Sequence, residues 1–461
     1  MGKILDLYFG AAVDSSPSRD KVSMEELMDL ENKMVEAEKW LSRGYNAGNE
    51  GFGWMGLPYQ DLEPLLAQAA WLREFDAVIQ IGIGGSALGN RMLNNALLHP
   101  YYNELPPEKR KGPRFYIADN VDPQGNMAIW DMVDPRKTAL IVVSKSGSTA
   151  ETMANFMYFL ERMSSVLGRG KALEHVLVIT DPEKGTLRPF SGETGCRSLE
   201  IPPGVGGRYS VLSSVGLLCA AAMGIPVEEL LEGARDMAGF LPEEKDIRKN
   251  PAWLAAGLYY LHGLKGRTMD VFMPYVDALE NFVEWFAQLW AESIGKEGRG
   301  FTPVRALGTI DQHSQVQLYT EGPDDKVFTI LDITERTGDI LIPGTDHGAL
   351  AGLNYMKGKS MSSMITFEAR STAAALLKAG KPVIWLEIPE LTPYTLGGLI
   401  FFFEYVTALE GYLLSINPFD QPGVEQGKKY TYGLMGREGF AEHATEAEDF
   451  FGRILDEKSS F

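Results

Sequence analysis

The residues best suited to chemistry form a run of hydrogen-bond donors, Ser144-Lys-Ser-Gly-Ser-Thr149, directly after an apolar segment over 138–143. A helical pattern begins at Ala150, so the run lies where a strand would end and a helix would start. Unpaired N–H groups and the helix dipole both favour an anion there. The order differs from the Walker motif G-x-x-x-x-G-K-[ST], so a small phosphorylated metabolite fits better than a nucleoside triphosphate. The alternative is that the hydroxyls only cap the helix.

Another loop of the same kind follows an earlier buried strand and reads Ile83-Gly-Gly-Ser-Ala-Leu-Gly89. Its glycines let a ligand approach the backbone, and Ser86 adds a hydroxyl donor at the start of a helix. The pattern Gly82-x-Gly84-x-x-Ala87 also satisfies the dinucleotide fingerprint. That fingerprint needs an acidic residue about 20 positions on, and Asp119 lies well beyond that spacing. We therefore expect both loops to bind one phosphate.

Two further residues could act on the rest of such a ligand. Arg208 follows the glycine-rich run Pro203-Gly-Val-Gly-Gly207, which frees the backbone to bring a fixed positive charge to a ligand oxygen. Glu292 ends a predicted helix over 277–293, where the negative end of the helix dipole makes a carboxylate a better proton acceptor. A surface arginine and a solvated glutamate are the simpler readings of the two.

Of the six histidines, His313 has the most polar neighbourhood, Asp311-Gln-His-Ser-Gln315, and is expected just before an amphipathic helix. Asp311 or another acceptor could fix its tautomer. His347 is the second candidate. Metal binding is not expected, since no spacing of His, Cys and carboxylates is typical of metal ligands. Near the end of the chain, Lys428 follows a glycine, and Gln421 precedes it by seven residues.

These residues require a scaffold of alternating strands and helices. Short apolar strands are predicted over 77–83, 114–118, 138–143 and 176–180, and again over 268–273, 326–331 and 383–386. Ser23 and Glu26 predict a capping box at the start of an N-terminal helix. Alternation of this kind indicates the α/β class with doubly wound parallel sheets, whose ligands lie at the carboxyl ends of strands.

Composition limits the classes of function. A chain of 461 residues exceeds the roughly 250–300 residues of one core, so two domains are expected. Its net charge of −19 excludes nucleic acid and anionic membranes as favoured partners. Two cysteines cannot form a disulfide framework, which favours a cytoplasmic location. The apolar stretch over 396–414 contains Glu404 and Glu410 and is predicted to be a buried helix rather than a membrane span.

The motifs together resemble the phosphoglucose isomerase family, in order and over nearly the whole chain. The matching segments are Gly82-Ile-Gly-Gly-Ser-Ala-Leu-Gly89, Ser144-Lys-Ser-Gly-Ser-Thr-Ala-Glu-Thr152, Gly206-Gly-Arg-Tyr-Ser210, Glu292-Ser-Ile-Gly-Lys296, Gln312-His-Ser314 and Gly423-Val-Glu-Gln-Gly-Lys428. The resemblance implies two sugar-isomerase (SIS) domains, each an αβα sandwich, with helical extensions at both ends. We place the N-terminal extension at 1–45, the SIS domains at 46–225 and 226–430, and the C-terminal tail at 431–461.

The resemblance also implies the reaction, the interconversion of glucose 6-phosphate and fructose 6-phosphate through a cis-enediol. Glu292 would move the proton between C2 and C1, Arg208 would stabilise the enediolate, and Lys428 with His313 would open the sugar ring. The substrate would be bound by Gly85, Ser86, Ser144, Lys145, Ser146, Thr149 and Gln421. The family needs no metal or organic cofactor, and its histidine comes from the neighbouring subunit, so a homodimer with shared sites is expected.

Some positions depart from the family pattern. Asp311 replaces a small or neutral residue, and Pro422 stands where an aromatic residue is common. The choice of Lys428 rather than Lys429 as the lysine that matches the family depends only on the Gly427-Lys pair. Two rivals remain. One is an isomerase acting on another sugar phosphate such as mannose 6-phosphate, and the other is a non-catalytic SIS module that senses a sugar phosphate. A sensor would need the phosphate loops but not Glu292, His313 and Lys428.

Overall fold

The computed structural model describes residues 2–14, 21–455 and 458. The strands are β1 (Asp6–Tyr8), β2 (Ala77–Ile81), β3 (Arg114–Ala118), β4 (Thr138–Val143), β5 (Val176–Thr180), β6 (Arg197–Glu200), β7 (Met269–Pro274), β8 (Thr302–Arg305), β9 (Lys326–Ile333) and β10 (Val383–Ile388). The α-helices are α1 (Met24–Asp29), α2 (Glu31–Asn46), α3 (Glu63–Leu72), α4 (Leu88–Leu97), α5 (Pro123–Asp131), α6 (Ala150–Leu167), α7 (Arg169–Glu174), α8 (Leu187–Thr194), α9 (Ser214–Ala222), α10 (Val227–Phe240), α11 (Pro251–Leu264), α12 (Glu280–Ile294), α13 (Ile310–Glu321), α14 (Met361–Lys378), α15 (Pro393–Leu413), α16 (Glu425–Leu434) and α17 (Ala441–Leu455).

The first sheet has the strand order β3-β2-β4-β5-β6, and all its neighbouring strands run parallel. Its central strands β2, β4 and β5 are buried along their whole length, as expected of a parallel sheet covered on both faces. The chain passes from β2 to β3 on one side and then returns to β4 on the other side. The order of strands therefore reverses between β2 and β4, the position at which doubly wound sheets bind ligands.

The second sheet has the order β1-β10-β9-β7-β8. Strands β7 to β10 pair in parallel, whereas β1 pairs with β10 in the antiparallel direction. The α/β class with parallel sheets is thus confirmed. The boundaries proposed for the two domains and their extensions stay a prediction, although the segment assigned to a helical N-terminal extension also supplies β1.

A single long helix, α15, forms the centre of the core and packs against α2, α10, α11 and α12. Among the described residues it is the one helix long and apolar enough to cross a membrane, but 94% of that apolar window is buried in the protein. Glu404 and Glu410 are fully buried there and have no hydrogen-bond partner within the described part of the chain. Burial raises the pKa of both carboxyls well above the usual range. The prediction of a buried helix is confirmed.

The predicted strands are present, with shifts of one or two residues at some ends. The capping box of Ser23 and Glu26 is formed at α1, where each side chain accepts a hydrogen bond from the backbone N–H of the other residue. Sequence reasoning missed β1, β6 and β8. These strands are three or four residues long, lie at sheet edges and are only partly buried, so they lack the apolar run that marked the others.

The buried carboxyl of Asp270 on β7 should make stability depend on pH. Burial raises its pKa to about 8, although Trp290 donates a hydrogen bond to it at 2.6 Å. A pKa above the unfolded value means that the folded state retains a proton which the unfolded state loses. Stability should therefore fall by up to about 1.4 kcal/mol per pH unit as pH rises from 4 to 8.

Asp270→Asn keeps an acceptor for Trp290 and removes this proton. Its urea-unfolding free energy, measured from pH 5 to pH 8, should decline less steeply than that of the unchanged protein. Parallel curves for the two proteins would contradict the assignment.

Candidate active site

The two donor-rich loops lie side by side at the point where the strand order reverses. Strands β2 and β4 pair in parallel, with Ile81 opposite Val142, so the segments that follow them leave the same edge of the sheet together. A Cβ atom added at Gly82 would lie 3.2 Å from the backbone oxygen of Val143. The expectation that both loops meet at one edge of one sheet is therefore confirmed, and they form one donor-lined surface.

The loop after β2, over 83–89, is called the first loop, and the loop after β4, over 144–149, the second. Within the second loop, the hydroxyls are directed to each other rather than to the helix. The oxygen of Thr149 lies 3.3 Å from that of Ser144 and 3.4 Å from that of Ser146. Thr149 is the N-cap residue of α6 but makes no side-chain capping hydrogen bond. The first N–H groups of α6 thus stay open to an acceptor from outside the helix. The simpler reading of these residues as helix caps is not what the structure shows.

The shape of this loop depends on Gly147. Its φ angle is +63°, and an added Cβ atom would lie 2.7 Å from the backbone nitrogens of Thr186 and Leu187. A side chain at this position would therefore both strain the backbone and separate the loop from the segment after β5. Ser144, which is buried, further fixes the turn by accepting a hydrogen bond from the N–H of Gly147 at 3.1 Å.

Lys145 does not stand free in the loop. Its ammonium group donates to Glu50 at 2.7 Å and to the backbone oxygen of Val205 at 3.0 Å. The lysine thereby links the phosphate loop to the glycine-rich segment before Arg208. Because a carboxylate already pairs with this cation, hydroxyls and backbone N–H groups are left as the main donors of the loop.

The first loop is held against the segment that carries Arg208. A Cβ atom at Gly85 would lie 2.2 Å from the backbone oxygen of Gly207 and 2.8 Å from the nitrogen of Arg208. The buried amide of Gln80, on β2, donates to the backbone oxygen of Ser86 at 2.6 Å and so holds the turn against the strand. The hydroxyl of Ser86 has no partner within the described residues, so it is available to a ligand.

Arg208 is 3% exposed, and its guanidinium group joins three segments of the chain. All five of its N–H groups can be accounted for by hydrogen bonds. The acceptors are the hydroxyl of Ser293 at 2.8 Å, Glu292 at 3.3 Å, Gln421 at 2.9 Å, and the backbone oxygens of Pro418 at 2.7 Å and Asp420 at 2.9 Å. The structure thus brings together three predicted site residues, Arg208, Glu292 and Gln421.

Glu292 lies in the last turn of α12, as predicted, with 32% of its side chain exposed. One carboxylate oxygen faces Arg208, and the other accepts a hydrogen bond from Gln288 at 3.0 Å. Gln288 also adjoins the first phosphate loop, since a Cβ atom at Gly84 would lie 3.0 Å from its amide nitrogen. Sequence reasoning missed Gln288, although its spacing of four residues from Glu292 places both on one face of a helix.

Lys296 is a second residue that sequence reasoning left without a role. Its ammonium group pairs with Asp420 at 3.0 Å and donates to the backbone oxygens of Ser293 and Asn417. Burial lowers its pKa. These contacts attach the end of α12 to the segment that supplies acceptors to Arg208. Lys296 therefore helps to hold these acceptors in place.

His313 is not part of this cluster within one chain. It lies inside the first turn of α13 instead of before the helix, and its side chain is exposed. The prediction that Asp311 could fix its tautomer is wrong. Asp311 accepts hydrogen bonds from the backbone of Leu307 at 2.8 Å and from Ser314 and Gln315. Residues two apart on a helix point in different directions, which explains why Asp311 and His313 do not meet.

Lys428 is likewise exposed. It lies on α16, where it pairs with Glu425 one turn earlier at 2.7 Å. The structure therefore gathers the phosphate loops, Arg208, Glu292 and Gln421 into one cleft, and it leaves His313 and Lys428 on the surface of the single chain.

Comparison with known proteins places this geometry in a family. The profile described as "Phosphoglucose isomerase" matches residues 68–317 and 352–442, well over half of the chain. The chain belongs to the phosphoglucose isomerase family. The matched ranges include every predicted site residue of the cleft.

Relatives in the family align over most of their length. A protein of Carboxydothermus hydrogenoformans named glucose-6-phosphate isomerase is 44% identical, over 85% of each chain. One of Haloquadratum walsbyi, named a probable glucose-6-phosphate isomerase, is 37% identical, over 96% of this chain and 98% of its own. Among solved structures, a hypothetical protein of Thermus thermophilus is 36% identical, with a TM-score of 0.82 over 89% of this chain and 97% of its own. A glucose-6-phosphate isomerase of Chlamydia trachomatis shares the fold, with a TM-score of 0.80 at 22% identity over 98% of this chain and 92% of its own.

The contact between Gly85 and Gly207 can be tested directly. Gly85→Ala should force the first phosphate loop away from Arg208, because both neighbouring groups are backbone and cannot rotate aside. We expect a loss of about 1–3 kcal/mol in the free energy of unfolding, together with a lower kcat/KM for isomerisation. Gly125→Ala, on α5 with nothing near the added atom, is the matched control; it should leave kcat/KM nearly unchanged and should not lower the free energy of unfolding. Equal behaviour of the two variants would contradict this role of Gly85.

Proposed function

We propose that the cleft between the phosphate loops and Glu292 interconverts glucose 6-phosphate and fructose 6-phosphate. Membership of the phosphoglucose isomerase family supports the reaction, and relatives named glucose-6-phosphate isomerase cover most of the chain. One observation supports the residue assignment above all others. The Glu292 carboxylate is held between Arg208 and Gln288, and both of these residues adjoin the first phosphate loop.

In the proposed mechanism, the loops bind the 6-phosphate through the hydroxyls of Ser86, Ser144, Ser146 and Thr149 and through backbone N–H groups. This contact fixes the end of the sugar that does not react. Orientation of this kind lowers the barrier because C1 and C2 are brought to the base in advance. Gln421, which already accepts from Arg208, would contact the sugar between the two ends.

Glu292 accepts the proton from C2 of the open-chain aldose, and the electrons of the broken C–H bond form the enediol double bond. Negative charge then develops on the oxygen at C1, where a fixed positive charge lowers its energy. Arg208 supplies this charge by its proximity, since its N–H groups are occupied by protein acceptors. The hydroxyl proton at C2 passes to the oxygen at C1, and Glu292 then returns the carbon-bound proton to C1 as the C2 carbonyl forms, which leaves the ketose.

Ring opening is assigned to His313 and Lys428, and the exposed position of both residues supports a shared site. Helix α13, which carries His313, packs against α14. Large apolar side chains are exposed on these helices and on the preceding 3₁₀ segment Gly348–Met356: Ile310, Leu318, Leu350, Leu353, Tyr355, Met361, Met364 and Phe367. Exposed apolar side chains in such number favour a protein interface. We propose that a second copy of the chain covers them and that each copy supplies His313 to the other.

A sensor module is the weaker alternative, because it would need no carboxylate beside the phosphate loops. A preference for mannose 6-phosphate over glucose 6-phosphate would depend on contacts at C2. A cytoplasmic location is supported by the two free cysteines, Cys196 and Cys219.

Glu292→Gln tests the proposed base. Glutamine retains the shape and an acceptor for Arg208, so binding of fructose 6-phosphate should change little. Exchange of the substrate hydrogen with solvent deuterium should fall by about 10²-fold or more, because the proton acceptor is gone. Glu280→Gln, an exposed change on the same helix, is the control. Exchange at a near-normal rate in Glu292→Gln would disprove the assignment.

Mixing two inactive variants tests the shared site. In a heterodimer of His313→Ala and Glu292→Gln, one site receives both changes and the other receives neither. Purified heterodimers should therefore regain about half of the unchanged activity. Lack of recovery in verified heterodimers would show that each chain contains its own complete site.

A further inference from the structure

A group of cations outside the candidate active site lines a cavity of about 590 Å³. The cavity lies at the N-terminal ends of the strands of the first sheet. The walls come from the segment that leads from α3 into β2 and from the segment that leads into β3. The phosphate loops follow the opposite ends of β2 and β4. The five residues of β2, at about 3.3 Å each, separate the two places by about 17 Å. This cavity is therefore distinct from the catalytic cleft.

The charge of the cavity is opposite to that of the protein. Four cations, Arg73, Arg110, Lys111 and Arg114, line it with one carboxylate, Asp76, whereas acidic residues outnumber basic ones 62 to 43 in the whole chain. None of the four forms an ion pair with a carboxylate in residues 2–14, 21–455 or 458. Asp76 pairs instead with Lys137, at 3.2 Å. This cluster of positive charge is therefore not compensated by carboxylates, although the protein as a whole is acidic.

Arg110 gives the most specific indication. Its Nε and Nη1 atoms are buried and meet no acceptor within the described residues. A buried guanidinium group without acceptors is costly, so such groups are normally paired. The Nη2 group of Arg110 is not among these buried atoms and also has no protein acceptor within the described residues, so an anion in the cavity would meet Nη2 and offset the charge of the guanidinium group at short range.

The surrounding backbone is fixed, so the cations are held in place before any ligand arrives. The side chain of Asn103 exchanges two hydrogen bonds with the backbone of Phe115, each 2.8 Å long. Gly112 lies against the end of α9, where an added Cβ atom would be 2.2 Å from the oxygen of Ala222. Arg73 donates to the same oxygen at 3.2 Å and leaves its Nη1 group for a ligand.

We propose that this cavity binds a small anion that carries two phosphate groups. Guanidinium groups match phosphate oxygens in pairs of parallel hydrogen bonds, and three arginines with one lysine exceed what one phosphate needs. The volume is sufficient for two such groups with a short link between them. The assignment does not depend on the isomerase reaction, because no residue of the catalytic cleft lines this cavity.

Calorimetric titration of pyrophosphate into the full chain at low ionic strength tests the proposal. The unchanged protein should bind it in this cavity, and Arg110→Gln and Arg114→Gln should each weaken binding about tenfold or more. A double variant of the catalytic loop, Ser144→Ala with Thr149→Ala, should keep this binding. Lys111→Gln, on an exposed side chain, replaces Arg110→Gln if that variant fails to fold.

Arg136→Gln is the matched control, since Arg136 lies just before β4 at the same sheet edge but outside the cavity. Loss of binding only in the catalytic-loop variant would overturn the proposal. An equal loss in Arg136→Gln would show a diffuse electrostatic effect and would overturn it as well. Binding of orthophosphate as tight as that of pyrophosphate would disprove the assignment to two phosphate groups.

Discussion

The site depends on the burial of one guanidinium group. Arg208 is removed from water, and a buried charge is stable only if its hydrogen-bonding groups find partners. Its acceptors come from the end of α12 and from the segment over 418–421, while Arg208 itself follows the first sheet. These three parts of the chain must therefore close on each other for the charge to be tolerated. Once they close, the carboxylate of Glu292 has a fixed place beside the first phosphate loop.

Close backbone contact gives the same cleft its shape. The absence of a side chain at Gly85 lets the turn after β2 touch the backbone of Gly207, and the ammonium group of Lys145 ties the second loop to Val205. Both loops are thus attached to the segment that carries Arg208, not only to their own strands. The distance between these two loops and the carboxylate of Glu292 is consequently set by rigid backbone, as a site that orients a small substrate requires.

Much of this arrangement could be predicted from the sequence. The buried strands were recognisable from their apolar runs, and the donor-rich loops after β2 and β4 followed from glycine and hydroxyl positions. Contacts between distant segments were not predictable. Nothing local shows that Gln288, which lies one turn before Glu292, also reaches the loop at Gly84, or that Lys145 pairs with Glu50, 95 positions away. For Asp311 the error was the reverse. Its position two residues before His313 suggested a contact, but the two side chains point in different directions on the helix.

The pairing of Lys145 with Glu50 has a consequence for the release of product. A phosphate loop with an uncompensated cation would hold every phosphorylated sugar tightly and would slow the release of whichever one had formed. Here a carboxylate already neutralises the ammonium group of the loop, so dipoles and hydroxyls provide the attraction. Either isomer can then leave without breaking an ion pair between its phosphate and the loop. The cleft suits an enzyme that runs in either direction, as the concentrations of the two sugars dictate.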